Sequence, residues 1–239
     1  VVLSRKVDPN LPVERVGRKL SNFLLLVIGS LASLLFVRFA PVASSEFASA
    51  NGLGLFNWFY VPSVMKVVLG VILLDLCIYF QHRAFHHFDF LWRFHRVHHL
   101  DNFLDAFSAL RFHPVEIILS LIIKSLVVLL LGLSIETVFI FEITLSSMAI
   151  FNHANLRLPV VVENYLRYIV VTPNFHVIHH NPKPHCHNSN FGFNLTLWDY
   201  LFRTSTSVES VDFSDYECGL GNEKENSLKG MLMTPFKRG

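Results

Sequence analysis

The sequence predicts an all-α integral membrane protein, with about four transmembrane helices in two hairpins and a cytoplasmic, histidine-rich helical cap. Three observations carry this expectation. Of the 239 residues, 52% are hydrophobic and only 16% charged, against roughly 25% charge in an ordinary soluble domain. The apolar residues gather in a few long runs, the signature of membrane spans. The histidines, 13 in all, crowd beside the ends of those runs.

Taken in order, residues 1–20 are polar and basic, with Arg5, Lys6, Arg15, Arg18 and Lys19, and read as a cytoplasmic N-terminal segment. The membrane domain is expected over 21–204. Its first span lies in "NFLLLVIGSLASLLFVRFA", apolar from Phe23 to Val37 and closed by Arg38 and Pro41. That run is long and lacks a small-residue cleavage pattern, so it reads as a span rather than a signal peptide. Residues 41–57 form a Ser/Ala/Gly-rich connection with one charge, Glu46, and Trp58, Phe59 and Tyr60 suit an interfacial aromatic belt. A second helix, "VVLGVILLDLCIYF", runs from Val67 into the first histidines. A third starts at Pro114, a favoured first helical residue, and continues as "PVEIILSLIIKSLVVLLLG". A tight turn from Gly132 to Ser134 leads into a fourth, "IETVFIFEITLSSMAIFN". Strands are excluded because backbone exposed to lipid must be paired within a helix or a closed barrel. Residues 205–239 form a polar tail, expected to be loosely ordered.

Nearly all Lys and Arg fall in the N-terminal segment, in 81–113 and after Asn152, whereas 41–57 and 132–134 hold none. The positive-inside rule then places the termini and every histidine cluster on the cytoplasmic side, in a bacterial inner membrane in preference to the endoplasmic reticulum. Lys66 can snorkel. Lys124 lies mid-span and needs a partner, for which Glu136 and Glu142 are the candidates. A net charge of +2 gives no basis for nucleic-acid binding. Cys77, Cys186 and Cys218 are scattered and imply neither a disulfide framework nor a zinc ribbon.

The first histidine pair, His82 and His86, is spaced i, i+4 on one helical face, and Asp75 and Tyr79 extend the same stripe into the span. Asp75 has two open readings: it orients a ligand imidazole, or it caps or pairs with Lys124. His87 points about 100° away from the stripe and is left out. The second cluster is His95-x-x-His98-His99, in which His98 and His99 diverge enough to reach two different metal ions. His176-x-x-His179-His180 repeats it. His153, just past the fourth span, is a further candidate ligand. His113, in "RFHPVE", has a capping reading and a ligand or ligand-supporting reading, both open. His185 and His187, in "NPKPHCHNSN", read as exposed rather than coordinating.

This many imidazoles exceed a mononuclear zinc site, which takes three or four ligands. Imidazole suits iron, copper and zinc alike. No HExxH and no Glu-x-x-His pair is present, which removes the zincin and the carboxylate-bridged di-iron patterns. An all-histidine dinuclear iron site at a bilayer interface, used for oxygen chemistry on a lipid, fits best. The histidines would hold metal rather than transfer protons, so no separate acid or base is assigned. The chain carries no Gly-rich nucleotide fingerprint and no cysteine cluster, so electrons are expected from a separate donor protein. Two rivals are a zinc-dependent membrane hydrolase on the same histidines and a non-catalytic metal-binding membrane protein.

These residues resemble the fatty acid hydroxylase/sterol desaturase superfamily of membrane non-haem di-iron oxygenases. The resemblance rests on the HxxxH at His82, the HxxHH at His95 and His176, and on "LWRFHRVHH", "ALRFHPVE", "NHANLRLP", "VTPNFHVIHH" and "NSNFGFNLTLWDYLF". It covers most of 70–203. It implies two iron ions, O2 as co-substrate, and hydroxylation or desaturation of a lipid such as a fatty acyl chain or sterol. It carries over His82, His86, His95, His98, His99, His176, His179 and His180 as ligands, with His153 as a further one. Some members place a further HxxxH here, but the upstream position is Ala149, which leaves one ligand absent or supplied by His113. Asn188, Asn190, Trp198 and Asp199 match the closing segment and read either as supports of the last ligand helix or as an Asn-rich turn and cap. Relatives commonly read Phe-Gly-Thr where this chain has Arg203 between Phe202 and Thr204.

Overall fold

The computed structural model describes residues 12–37, 40–211, 217–221, 223 and 225–237, with side chains from residue 16 onward. Arg5, Lys6 and Arg38 lie outside the described residues. Twelve helices, with bounds as follows, make up the described fold: α1 Pro12–Leu34, α2 Pro41–Ala50, α3 Leu55–Trp58, α4 Ser63–His87, α5 Asp89–His99, α6 Pro114–Leu131, α7 Ile135–His153, α8 Val160–Leu166, α9 Pro173–His179, α10 Pro184–His187, α11 Leu197–Leu201 and α12 Leu228–Met233. Among the described residues there is no strand, only two isolated bridges.

Three of these helices, α4, α6 and α7, are long and apolar enough to cross a membrane. The α1 helix, which carries the run expected as the first span, is not among them. Its first half is polar: Arg18 is buried and donates to Asp101 at 2.7 Å and to Asp105 at 2.5 Å, tying this half to the loop after α5. The 41–57 connection is also more ordered than expected. Pro41 sits at the start of α2, and small buried residues, Ser44, Ser45 and Ala48, let that helix pack closely on α6. Trp58, Phe59 and Tyr60 are exposed.

The α6–α7 hairpin follows directly from its residues. Pro114 opens α6, and Gly132 closes it in the left-handed region at φ +68. The Ser134 hydroxyl then accepts the Thr137 N–H to begin α7. Gly132 is also a point of close approach: a Cβ there would stand 2.6 Å from the Leu53 carbonyl oxygen. Beneath the turn, Phe56, Leu74, Ile78, Val128, Leu133, Val138 and Phe141 form the core that binds α3, α4, α6 and α7 together. Because α4 and α7 run one way and α6 the other, the C-termini of α4 and α7 meet the N-terminus of α6 at one end of the bundle. Residues 225–237 of the polar tail dock at that end. Met231 on α12 is fully buried against Leu25 and Val97, and the buried Arg111 donates to the Glu225 carbonyl and the Asn226 side chain.

Replacing Gly132 by alanine forces an L side chain into the left-handed region, at about 1–2 kcal/mol, and adds the contact with Leu53. The expected outcome is a lowered thermal midpoint in detergent, whereas alanine at Gly17, which has open space, shifts it far less.

Candidate metal centre

The end of the bundle where α4, α6 and α7 meet is where the histidines converge. α4 ends on His82 and His86, α5 carries His95, His98 and His99, α7 ends on His153, and α9 with the residue after it carries His176, His179 and His180. They form two groups in which ligand nitrogens lie within 4.8 Å of one another: His82, His86, His95, His99 and His179 in the first, and His98, His153, His176 and His180 in the second. The division follows helical geometry. Residues i and i+4 share a face, so the pairs 82/86, 95/99 and 176/180 each stay within one group, while His98 and His179 turn to the other. The second group has four members, and the position one turn before His153 is Ala149.

Hydrogen bonds on the outer ring nitrogens fix which nitrogen faces inward. Nδ1–H of His82 donates to the Phe191 carbonyl at 2.8 Å, of His153 to Ala149 at 2.7 Å, and of His179 to Ser189 at 2.7 Å. That of His95 donates to Glu116 Oε1 at 2.7 Å, and that of His98 to the Arg111 carbonyl at 3.3 Å. With Nδ1 protonated, Nε2 is left as a bare lone pair. The Nε2 atoms of His82, His95 and His179 are buried without a partner. Those of His98 and His153 face each other at 3.0 Å, and His176 stands 3.1 Å from His153. Two lone pairs at that separation have no proton to share, and a cation between them removes the conflict. With metal–nitrogen bonds of about 2.1 Å, ligands at right angles stand about 3.0 Å apart, so the residues fit a metal.

Burial also prepares the rings electrically. It pushes the pKa of His95 down to about 3 and holds His98, His99, His176, His179 and His180 well below the usual value, with neighbouring imidazoles adding to the effect. Each ring is therefore neutral at pH 7, the form that binds metal. The His95–Glu116 contact is accordingly an N–H donated to a carboxyl group rather than a salt bridge, the arrangement that orients a ligand imidazole.

The supporting residues differ in part from the sequence expectations. Asp75 touches no histidine. It accepts the backbone N–H groups of Asn194 and Leu195, both at 3.2 Å, and Trp198 Nε1–H at 2.8 Å. Nor does it pair with Lys124, whose ammonium meets Glu142 at 2.5 Å. Asp199 accepts N–H from Phe191 at 2.9 Å and Gly192 at 2.7 Å, and burial pushes its pKa up to about 6. Asn190 donates to the Phe175 carbonyl on α9 and accepts the Thr206 N–H. Together these groups shape the loop whose carbonyls at 189 and 191 hold His179 and His82. Asn188 is exposed at the end of α10 and reaches none of this. His113 is a helix cap rather than a ligand: Nδ1 accepts the Val115 N–H at 3.2 Å, and Nε2–H points at the Leu232 carbonyl. Arg203 adopts φ +55, a left-handed turn in which glycine carries no steric penalty, and the turn persists with Thr204 N–H on the Asp199 carbonyl.

Two residues at the site were missed by sequence reasoning. Glu116 had a readable signal, an acid in the first turn of an apolar helix. His187 had none, since one turn of helix sets no phase. His185 is exposed as expected, but the His187 ring packs 4.8 Å from those of His86, His99 and Trp92, and burial lowers its pKa to about 4.

A largely apolar cavity of about 330 Å³ opens from His82, His95, His98 and His176 and runs between α4, α6 and α7 to the Lys124–Glu142 pair. Asp199→Asn replaces an acceptor of two backbone N–H groups by a poorer one and loosens the 189–192 loop. Metal affinity is expected to fall about 10–100-fold, read by competition with a chromogenic chelator, with helicity unchanged.

The fatty acid hydroxylase family profile matches residues 67–204, more than half of the chain and all of the converging histidines. The chain is 27% identical over 177 residues to the ornithine lipid hydroxylase OlsE of Rhizobium tropici, covering 74% of this chain and 52% of that protein. It is 33% identical over 136 residues to the alkylglycerol monooxygenase of Danio rerio, covering 57% of this chain and 29% of that protein. A putative Delta(7)-sterol-C5(6)-desaturase of Arabidopsis thaliana is 25% identical over 213 residues. The chain thus spans about half the length of the first relative and less than a third of the second. No solved structure matches it. On the extent of the profile match, the chain belongs to the fatty acid hydroxylase family.

Proposed function

We propose that this chain is a membrane-bound, oxygen-dependent di-iron oxygenase that hydroxylates or desaturates a lipid. The observation that carries the reading is the junction of two adjacent groups of buried, neutral imidazoles with an apolar cavity that extends into the spanning helices. The five candidate nitrogen ligands of the first group exceed the four that tetrahedral zinc takes up in its usual sites, and imidazole is a good ligand for iron. The named relatives, a lipid hydroxylase and a monooxygenase, support the same reaction class.

His82, His86, His95, His99 and His179 would hold one iron ion, and His98, His153, His176 and His180 the other. Bound there, the iron pair supplies activation of O2 with two electrons for oxidation of an unactivated C–H bond, chemistry that side chains alone cannot perform. The chain's own residues bind and orient. Glu116 and the carbonyls at 111, 149, 189 and 191 lock the tautomers of His95, His98, His153, His179 and His82. The walls around Ile78, Phe85, Ile117 and Leu121 hold a hydrocarbon chain and keep water away. In hydroxylation, two electrons and two protons accompany O2, one oxygen atom entering the substrate and the other leaving as water; in desaturation the same electrons and protons, with two hydrogens taken from the substrate, carry both oxygen atoms to water. A separate electron-donor protein delivers the electrons.

In the membrane, α1 would act as a fourth span beside α4, α6 and α7. The histidine end, flanked by Arg18, Lys19, Arg83, Arg93, Arg96 and Arg111, would face the cytoplasm under the positive-inside rule, in a bacterial inner membrane.

Lipid extracts from a host with and without the chain are expected to differ by a species that has gained one oxygen or lost two hydrogens. The double variant His98→Ala, His179→Ala takes one ligand from each group. It is expected to lose oxygen-dependent turnover by more than about a hundredfold while eluting as wild type on size exclusion. Wild-type turnover in that variant would refute the proposal. Stoichiometric zinc in freshly extracted protein, with no O2 uptake after iron loading, would favour a hydrolase, and metal binding without either activity a storage or sensing role.

A further inference from the structure

The cavity wall carries polar groups of two kinds. At its far end Lys124 and Glu142 satisfy each other at 2.5 Å. Beside the histidines the situation is the reverse. Glu116 is 5% exposed, and although Oε1 takes the His95 N–H, Oε2 is buried with no partner. Gln81, the neighbour of His82 on α4, likewise buries Oε1 without a partner. Both side chains line the cavity together with His82 and His95. An amide oxygen is an acceptor and the second oxygen of a carboxyl group accepts or, when protonated, donates, and such buried oxygens are costly unless a partner meets them.

The rest of the wall fixes an orientation. Down α6 from Glu116 come Ile117, Ser120, Leu121 and then Lys124, about 12 Å on at 1.5 Å per residue. With C–C bonds of about 1.5 Å, a zigzag chain covers that distance in about ten bonds. The two unpartnered oxygens therefore stand at the metal-binding end and the hydrocarbon-lined stretch lies deeper between the spans. A lipid lying with its polar part at the membrane surface and its tail in the bilayer enters in this same sense.

We infer that the substrate is an amphipathic lipid bearing a hydrogen-bond donor, a hydroxyl, amide N–H or ammonium group, which Gln81 and Glu116 bind close to the carbon that is oxidised. The inference rests on the oxygenase reading and narrows its substrate class. A bare stretch in the middle of an acyl chain brings no polar group and leaves both oxygens unmet. Gln81 is in this view a specificity-determining residue, and Glu116 both steadies His95 and receives the substrate.

The test is binding without turnover. The full chain, iron-loaded and kept anaerobic in lipid nanodiscs, is titrated with tritiated hexadecan-1-ol, methyl hexadecyl ether and hexadecane. The alcohol is expected to bind at least about tenfold more tightly than the ether or the alkane, the worth of one buried hydrogen bond. Gln81→Met, close in shape and without a strong acceptor, should bring the alcohol within about threefold of the ether while iron content stays at the wild-type level. Equal binding of the three probes by the wild-type chain would mean that water meets these oxygens, and overturns the inference whatever the variant does. A preference that survives in Gln81→Met with full iron content overturns the assignment to Gln81. Because no oxygen is present, a negative result leaves the oxygenase reading standing, and absence of oxygen-dependent turnover would sink that reading separately.

Discussion

Buried lone pairs that converge on one another are the constraint around which this molecule is built. Removing a neutral imidazole nitrogen from water is tolerable when it is hydrogen-bonded and costly when it is not. In five of the nine rings the outward nitrogen is bonded to a carbonyl or to Glu116, which turns the bare nitrogen inward, where His98 and His153 approach to 3.0 Å. Protonating the rings would resolve the conflict only by burying several like charges together. A pair of cations resolves it without that cost. Folding and metal uptake are on this account linked, because the ligands come from four separated segments of the chain.

The ring orientations depend in turn on a loop with no regular structure. Residues 189–196 supply the carbonyls that hold His179 and His82, and the loop keeps its shape through side chains that accept its N–H groups. Asp199 holds it at 191 and 192, Asp75 at 194 and 195. Asp75 lies well inside α4, so a carboxylate in the middle of an apolar helix fixes a loop against the bundle, and the loop fixes a histidine seven residues further along the same helix. Tyr79 joins the arrangement by donating to Thr204, which donates to Asp199. An acid at this depth is costly in a membrane, and its three N–H donors are what make it tolerable.

Topology couples this centre to the bilayer. The antiparallel run of α4, α6 and α7 brings two helix C-termini and one N-terminus to the same end, so the ligand helices and the cavity walls are the same elements. His82 and Gln81 are neighbours on α4, and Glu116 and Ile117 on α6. All four side chains line the cavity, and His82 and, through its bond to His95, Glu116 belong to the histidine cluster as well. The Arg111 and Met231 contacts fasten the C-terminal segment over this end.

The sequence by itself determined the helical class, the candidate spans α4, α6 and α7, and the histidines that come together. Spacing of i, i+4 on a helix is a local property and survives folding unchanged. The divergence of His98 from His99 was readable for the same reason. Tertiary structure decided which segments bring their histidines into the same group, because that depends on how α5, α7 and α9 pack. It also decided that Asp75 serves a loop rather than a ring, that His113 caps α6, that Asn188 lies outside while His187 lies against the cluster, and that Glu116 backs His95. Each of these is a contact between residues distant in the chain or within a segment too short to set a phase, and periodicity carries no information about such pairs.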